Sequence, residues 1–133
     1  TSVDFADAPR ATSVEGTQNI TLTVGVQTNV RQIVLTAPAA GRVIVNASAT
    51  VTANATGNDL VECSLTTGTI VQTTFKTTVG ESAALPPGLN FPLGMTRGFV
   101  VNPGPFTVRL VCRSIGGVIS LLDTSMTAAY FPH

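Results

Sequence analysis

Apolar and polar residues alternate along most of this sequence with a period of two, which is the pattern of half-buried β-strands. The clearest example lies at residues 42–53, where every second position is Val or Ala and only Ile44 interrupts the polar positions between them. The apolar spacing of an amphipathic helix is broken almost everywhere by Gly, Pro or runs of β-branched residues. The pattern therefore predicts an all-β protein whose longest strand has a well-specified register.

The same alternation predicts further strands at residues 18–26, 30–36, 60–66, 69–79, 95–101, 106–113 and 118–131. Gly116 and Gly117 form the turn of the last hairpin, because glycine tolerates positive φ. Residues 80–94 are rich in proline and are predicted to form a long surface loop. Residues 69–79 carry little apolar content and the single Lys76, as expected of an edge strand. Short strands with such turns are typical of a two-sheet antiparallel β-sandwich or jelly roll.

The length of 133 residues fits one domain with one core. We expect an N-terminal strap or linker at residues 1–16, where charge is mixed and periodicity weak, followed by a single β-sandwich domain at residues 17–133. Seven basic and seven acidic residues are scattered without a cluster, which argues against a nucleic-acid or polybasic membrane-binding surface. No run approaches the roughly 20 consecutive apolar residues of a membrane span. Abundant Thr, with one Lys and no Trp, favours a secreted or cell-surface protein.

Two segments carry a family pattern. Residues 35–45 read Leu-Thr-Ala-Pro-Ala-Ala-Gly-Arg-Val-Ile-Val, and residues 103–110 read Pro-Gly-Pro-Phe-Thr-Val-Arg-Leu before the Gly-Gly turn and the closing strand at 122–132. The combination resembles bacterial extracellular jelly rolls related to the C1q and tumour-necrosis-factor superfamily, although this chain has fewer aromatic residues. The resemblance implies a ten-strand, two-sheet sandwich that assembles as a compact homotrimer, with the terminal strand near the threefold axis.

That resemblance makes Met126 and Tyr130, both on the terminal strand, candidates for packing at a trimer interface. Aromatic and Met side chains are enriched in the cores of protein interfaces. The alternative is that both side chains close the core of the monomer.

Cys63 and Cys112 lie 49 positions apart on the apolar faces of their predicted strands. The residues alone allow a disulfide, two buried thiols or half of a metal site. A zinc site would need two more ligands, and the single His133 is terminal, so no metal is expected. In the jelly roll that the resemblance implies, the two strands are neighbours in one sheet, so a disulfide and an oxidising compartment are expected.

No catalytic group and no cofactor are predicted. Nucleophilic catalysis needs a base beside a Ser or Cys, and His133 and Lys76 are the only candidate bases of the usual kinds. Paired carboxylates could hydrolyse glycosides, yet no spacing brings two of the available ones together. Those carboxylates are Asp59, Glu62, Glu81 and Asp123.

The sequence therefore favours a non-catalytic, surface-exposed trimeric jelly roll that acts in recognition or adhesion, with a carbohydrate or another cell-surface ligand. Exposed Arg97, Arg109 and Arg113 are the candidate ligand contacts. One alternative is a viral or phage structural or decoration protein, because viral coats also use jelly rolls. Another is a carbohydrate-binding module of a larger enzyme, which is less favoured because the chain has no Trp and one Tyr.

Overall fold

A computed structural model of the chain describes residues 10–17, 19–54, 58–81 and 85–132. These residues contain nine strands, whereas the family resemblance implied ten, and they contain no helix. The strands are β1 (Arg10–Gly16), β2 (Ile20–Leu22), β3 (Thr28–Ala37), β4 (Gly41–Ala53), β5 (Leu60–Thr66), β6 (Lys76–Gly80), β7 (Asn90–Val101), β8 (Gly104–Ser114) and β9 (Ile119–Pro132). Within this part of the chain, no helix is present that could cross a membrane.

The strands form two antiparallel sheets that pack face to face. Sheet A has the order β1-β9-β4-β7, with the short β2 also paired to β9, and sheet B has the order β3-β8-β5-β6. The chain passes from one sheet to the other at almost every connection after β2, so neighbours within a sheet are distant in sequence. This is the predicted all-β, two-sheet jelly-roll sandwich.

Strand β4 shows how the alternating sequence builds the core. It lies between β7 and β9 in sheet A and buries every second residue along its 13 positions. Ala47 and Ala49 belong to the same buried core as larger residues of the facing sheet, among them Leu65 and Leu110, which are fully buried. The predicted register of this strand is confirmed, because Val43, Val45 and Val51 all point into the core.

Three predicted strand boundaries were wrong. The strand predicted at 18–26 is only β2, because the chain turns at Gly25, which has a φ of 72°. Residues 67–75 form no strand and instead cross the outer side of sheet B. The predicted loop at 80–94 contains the start of β7; Pro92 is tolerated there because β7 is an edge strand that pairs only with β4.

The predicted strap at residues 1–16 contains β1, which pairs with β9 from Arg10 opposite Tyr130 to Gly16 opposite Thr124. Residues 10–16 therefore extend sheet A at its edge, while residues 1–9 lie outside the described residues, as does His133. The division of the chain into a strap and a domain from residue 17 stays a prediction.

Candidate assembly surface and charged sites

A disulfide joins Cys63 of β5 to Cys112 of β8, as predicted. The two residues lie directly opposite each other in sheet B, with a Cα–Cα distance of 4.1 Å and an S–S distance of 2.05 Å. Both are completely buried among the core residues. The readings as free thiols or as half of a metal site are thereby excluded.

Met126 and Tyr130, the residues predicted at a trimer interface, both point into the core of the chain itself. Neither side chain is accessible to solvent. The Tyr130 hydroxyl donates a hydrogen bond to the carbonyl oxygen of Ala39 at 3.1 Å, which satisfies its one polar group. Both side chains belong to the core cluster of the chain, which is the alternative position, and their role at a trimer interface stays a prediction.

Glu62 carries the only ion pairs among the described residues, on the outer side of sheet B. One carboxylate oxygen accepts a hydrogen bond from Lys76 at 2.9 Å, and the other accepts two from Arg113 at 2.9 and 3.2 Å. The hydrogen bond from Lys76, together with that from Arg113 and the charges of both, lowers the pKa of Glu62 below its ordinary value although burial opposes this. Arg113, a predicted ligand contact, is therefore held by a carboxylate of its own chain.

The segment at residues 67–75, here called the covering loop, lies over the outer side of sheet B. Its backbone is held by the side chains beneath it, since Ser64 Oγ accepts a hydrogen bond from the Gln72 amide at 3.0 Å. Arg109, a second predicted ligand contact, donates to the carbonyl oxygen of Thr67 at 3.1 Å. These bonds explain why Ser64 is completely buried on the outer side of a sheet.

Arg97, the third predicted ligand contact, faces inward at the open edge of the sandwich. It donates hydrogen bonds from Nη1 to the carbonyl oxygen of Leu65 at 2.8 Å and to the side-chain oxygen of Gln72. Its guanidinium carbon lies 4.4 Å from the ring centre of Phe75 and 4.7 Å from that of Phe99, within the range of cation–π contacts. No carboxylate of the described residues forms an ion pair with Arg97.

The structure gives the three arginines separate partners and no contact with one another among the described residues. Arg97 instead borders a cavity of about 230 Å³ between β6 and β7. The covering loop supplies Phe75 to this cavity, and sequence reasoning missed it because the loop was predicted as a strand. The residues that line the cavity are Leu65, Phe75, Lys76, Thr77, Gly94, Met95, Thr96 and Arg97.

Asp59, one of the four carboxylates considered for glycoside hydrolysis, is buried. Its side chain accepts a hydrogen bond from the Leu85 amide at 2.6 Å, and its backbone oxygen accepts one from the Glu81 amide at 3.1 Å. The carboxylate therefore joins the start of β5 to the segment that follows β6. Within the described residues, no group of three or more His, Cys, Asp and Glu residues could hold a metal ion.

The outer side of sheet A, here called the outer A face, carries mostly small and uncharged side chains. Its strand pairs align the outward residues in four rows from Arg42 to Ser48. Ile44, Val100 and Phe131 are exposed on it, with 41, 69 and 42 % of their surface accessible. The rows are Phe131-Arg42-Val100, then Ala11-Ala129-Ile44-Gly98, then Ser13-Thr127-Asn46-Thr96, and finally Glu15-Ser125-Ser48-Gly94.

No family model matches this sequence, and no curated protein matches it. Among solved structures, the VP2 subviral particle of infectious bursal disease virus is similar, with a TM-score of 0.50 and 13% identity over 97% of this chain and 34% of that chain. A structure of the Gt strain of the same virus has a TM-score of 0.48 and 14% identity, over 98% of this chain and 39% of that chain. The chain thus spans about a third of the length of the viral chains it matches.

Because the identity is only 13%, the similarity to the VP2 subviral particle shows the fold alone. It supports a jelly-roll β-sandwich and is not specific to the C1q and tumour-necrosis-factor superfamily.

Proposed function

We propose that this chain is a non-catalytic structural protein, a jelly-roll unit that packs against further copies of itself in a particle of the viral or phage type. The outer A face carries the proposal, because it is a large exposed surface that combines small side chains with the exposed apolar residues Ile44, Val100 and Phe131. The same fold occurs in the subviral particle of infectious bursal disease virus, which supports this reading over that of an adhesin.

The composition of the outer A face favours close packing against a second protein surface. Apart from Ile44 and Asn46, its middle rows hold Ala, Gly, Ser and Thr, whose short side chains project little from the sheet. Its large apolar side chains stay partly in water in the single chain. With strands about 4.8 Å apart and rows about 6.7 Å apart, the four rows over four strands cover a plane of roughly 400 Å². Outward residues at the strand ends beyond these rows would increase the buried area toward the roughly 800 Å² that each partner buries in a standard interface.

The charges on the outer A face favour a second copy of the chain as the partner. The face carries one cation, Arg42, in its first row and one carboxylate, Glu15, in its fourth row. A twofold axis that lies in the plane of contact and bisects the line from Arg42 to Glu15 places Arg42 of each copy against Glu15 of the other. Both charges are then paired, so burying the face leaves no isolated charge.

Replacement of Val100 by Glu tests the proposal. It places a charge among the exposed apolar residues of the outer A face and is expected to abolish self-association, because a buried unpaired carboxylate costs several kcal/mol. Val34→Glu is the matched control, since Val34 is also exposed, at 58 %, but lies on sheet B. Sedimentation velocity and negative-stain microscopy of both variants and the native chain measure the association.

Larger species that disappear in Val100→Glu and persist in Val34→Glu support the proposal. A native chain that remains a 13.7 kDa monomer at all accessible concentrations, or equal loss of association in both variants, refutes it.

A secreted trimeric recognition domain is the second candidate function. The Cys63–Cys112 disulfide favours it, because such bonds persist in oxidising environments, although virion surfaces share this property. A solution mass near three times 13.7 kDa, without larger particles, would support the homotrimer over the particle. The reading as a carbohydrate-binding module has less support, since the single Tyr is buried and cannot offer a stacking platform for a sugar.

A further inference from the structure

We propose that the cavity between β6 and β7 binds a small organic carboxylate, with Arg97 as the anion-binding group and Phe75 as an apolar wall. The cavity lies at the open edge of the sandwich and borders the outer A face, with which it shares Gly94 and Thr96. Its anion-binding group, Arg97, faces inward, so the proposal does not rest on assembly. Its volume of about 230 Å³ is below the usual range of roughly 300–1,000 Å³ for drug-sized ligands, which limits the ligand to one ring or a short chain.

The guanidinium of Arg97 is the first element of the site. Only its Nη1 nitrogen is engaged by acceptors among the described residues, and a guanidinium carries five N–H donors arranged as a fork. Glu62, which forms the ion pairs of sheet B, is already bonded to Lys76 and Arg113. Arg97 is therefore a half-buried cation without a carboxylate partner in the described chain, and a carboxylate is the acceptor that matches its remaining donors.

The charges around the cavity favour an anion. The outward positions of β3, β5, β6 and β8 carry three cations, Lys76, Arg109 and Arg113, and one carboxylate, Glu62. Arg97, on the edge strand β7 of sheet A, adds a fourth cation across the cavity, although the whole chain has a formal net charge of +0. An excess of one sign beside a partly enclosed cavity raises the local concentration of ions of the other sign.

Phe75 is the second element of the site. It is 68 % exposed and has a φ of 53°, a left-handed conformation that is rare for a bulky residue and is found mainly where function requires it. The contact of its ring with Arg97 fixes the ring at the mouth of the cavity. Met95 provides a second apolar wall, and the hydroxyl groups of Thr77 and Thr96 lie on the lining. The ligand therefore combines a carboxylate with an apolar or ring-shaped body.

The test is a titration followed by amide chemical shifts in nuclear magnetic resonance, with benzoate and glucuronate as probes and benzamide and glucose as their neutral counterparts. At least one carboxylate is expected to give saturable shifts around Arg97 that its neutral counterpart does not give. Stronger binding of benzoate identifies an apolar acid as the ligand type, and stronger binding of glucuronate identifies a sugar acid. Either result supports the proposal.

Three variants separate the site from general charge effects. Arg97→Gln is expected to weaken binding about tenfold or more, as the loss of a charge-assisted hydrogen bond would. Phe75→Asn is expected to weaken it by about threefold, because the apolar wall and its cation–π contact are lost. Arg109→Gln removes the same charge from β8 of sheet B, outside the cavity, and its affinity for the carboxylate should stay within about twofold of that of the native chain.

Phe75→Asn also protects the test against a folding defect, since Arg97→Gln removes a hydrogen bond to the backbone of β5. Asn tolerates the left-handed conformation, so the melting temperature of this variant is expected to equal or exceed that of the native chain. Equal binding of the neutral probes, equal weakening in Arg109→Gln, or no saturable binding of either carboxylate would overturn the proposal.

Discussion

Loss of the Cys63–Cys112 disulfide should lower the stability of the chain by an amount that follows from its position. The bond closes a loop of 49 residues, and the chain-entropy relation gives about 4 kcal/mol for a loop of that length. Unfolding of 133 residues carries an entropy of about 280 cal/mol/K near 60 °C. The two values together predict a decrease in the melting temperature of roughly 14 °C on removal of the cross-link.

The variant suited to this test is the double replacement Cys63→Ala with Cys112→Ala. Both positions are completely buried, so Ser would leave two hydroxyl groups without partners and add an unrelated penalty. Scanning calorimetry and guanidinium titration should be run on the native chain, the reduced native chain and the double variant. The denaturant slope should rise when the bond is absent, because the unfolded chain then expands further.

The reduced native chain isolates the cross-link, because its side chains keep their volume. The double variant adds the cost of the lost sulfur atoms, and a reducing agent should leave its melting temperature unchanged. A reduced native chain that melts within about 3 °C of the oxidised one would show that the bond constrains the unfolded state far less than the entropy relation requires.

Glu62→Gln should remove the acid sensitivity of folding that the lowered pKa predicts. The native carboxylate stabilises the fold above its ordinary pKa of 4.5, and this contribution to the free energy of unfolding is lost as pH falls through the lowered pKa. Urea titrations of both proteins from pH 7 to pH 3 measure the difference. Gly80→Ala should destabilise the chain by about 3 kcal/mol, because φ is 114° and the added Cβ would lie 1.9 Å from the backbone oxygen of Asp59. In the control Gly94→Ala the added Cβ meets nothing within 4 Å, so its melting temperature in scanning calorimetry should be nearly unchanged. Tyr130→Phe removes the hydrogen bond to Ala39 and should lower the free energy of unfolding by about 1 kcal/mol without changing the solution mass. A changed solution mass with unchanged stability would indicate that Tyr130 lies at an interface between copies.

Several features of the fold could be predicted because they depend on local pattern. The burial of alternate residues in β4 follows from the period-two sequence, which fixes the side on which each residue lies. Other local features misled the prediction. The Thr-rich segment at 67–75 alternates like a strand, yet the bonds that side chains such as Ser64 and Arg109 form with its backbone hold it as a loop. Pro92 suggested a loop, because the sequence does not show that β7 lies at an edge.

The candidate sites depended still more on tertiary structure. Arg97 could be predicted as a polar contact, but Phe75, which completes its cavity, comes from a different segment and a different predicted element. The family resemblance made Met126 and Tyr130 interface candidates, with the monomer core as the alternative, and the structure buries both side chains in the core of the chain. The outer A face could not be recognised, because its rows combine residues from β1, β4, β7 and β9.

The sequence by itself determined that this chain is an all-β sandwich, because alternation, turn residues and the absence of helical spacing act over a few residues at a time. Only the tertiary structure decided which strands became neighbours, since the chain changes sheets at most connections and β4 pairs with β9 across most of its length. The pairing of Cys63 with Cys112, the outer A face and the cavity beside Arg97 all follow from that long-range order. The strand order is stabilised by contacts between segments distant in the sequence, which no local pattern specifies.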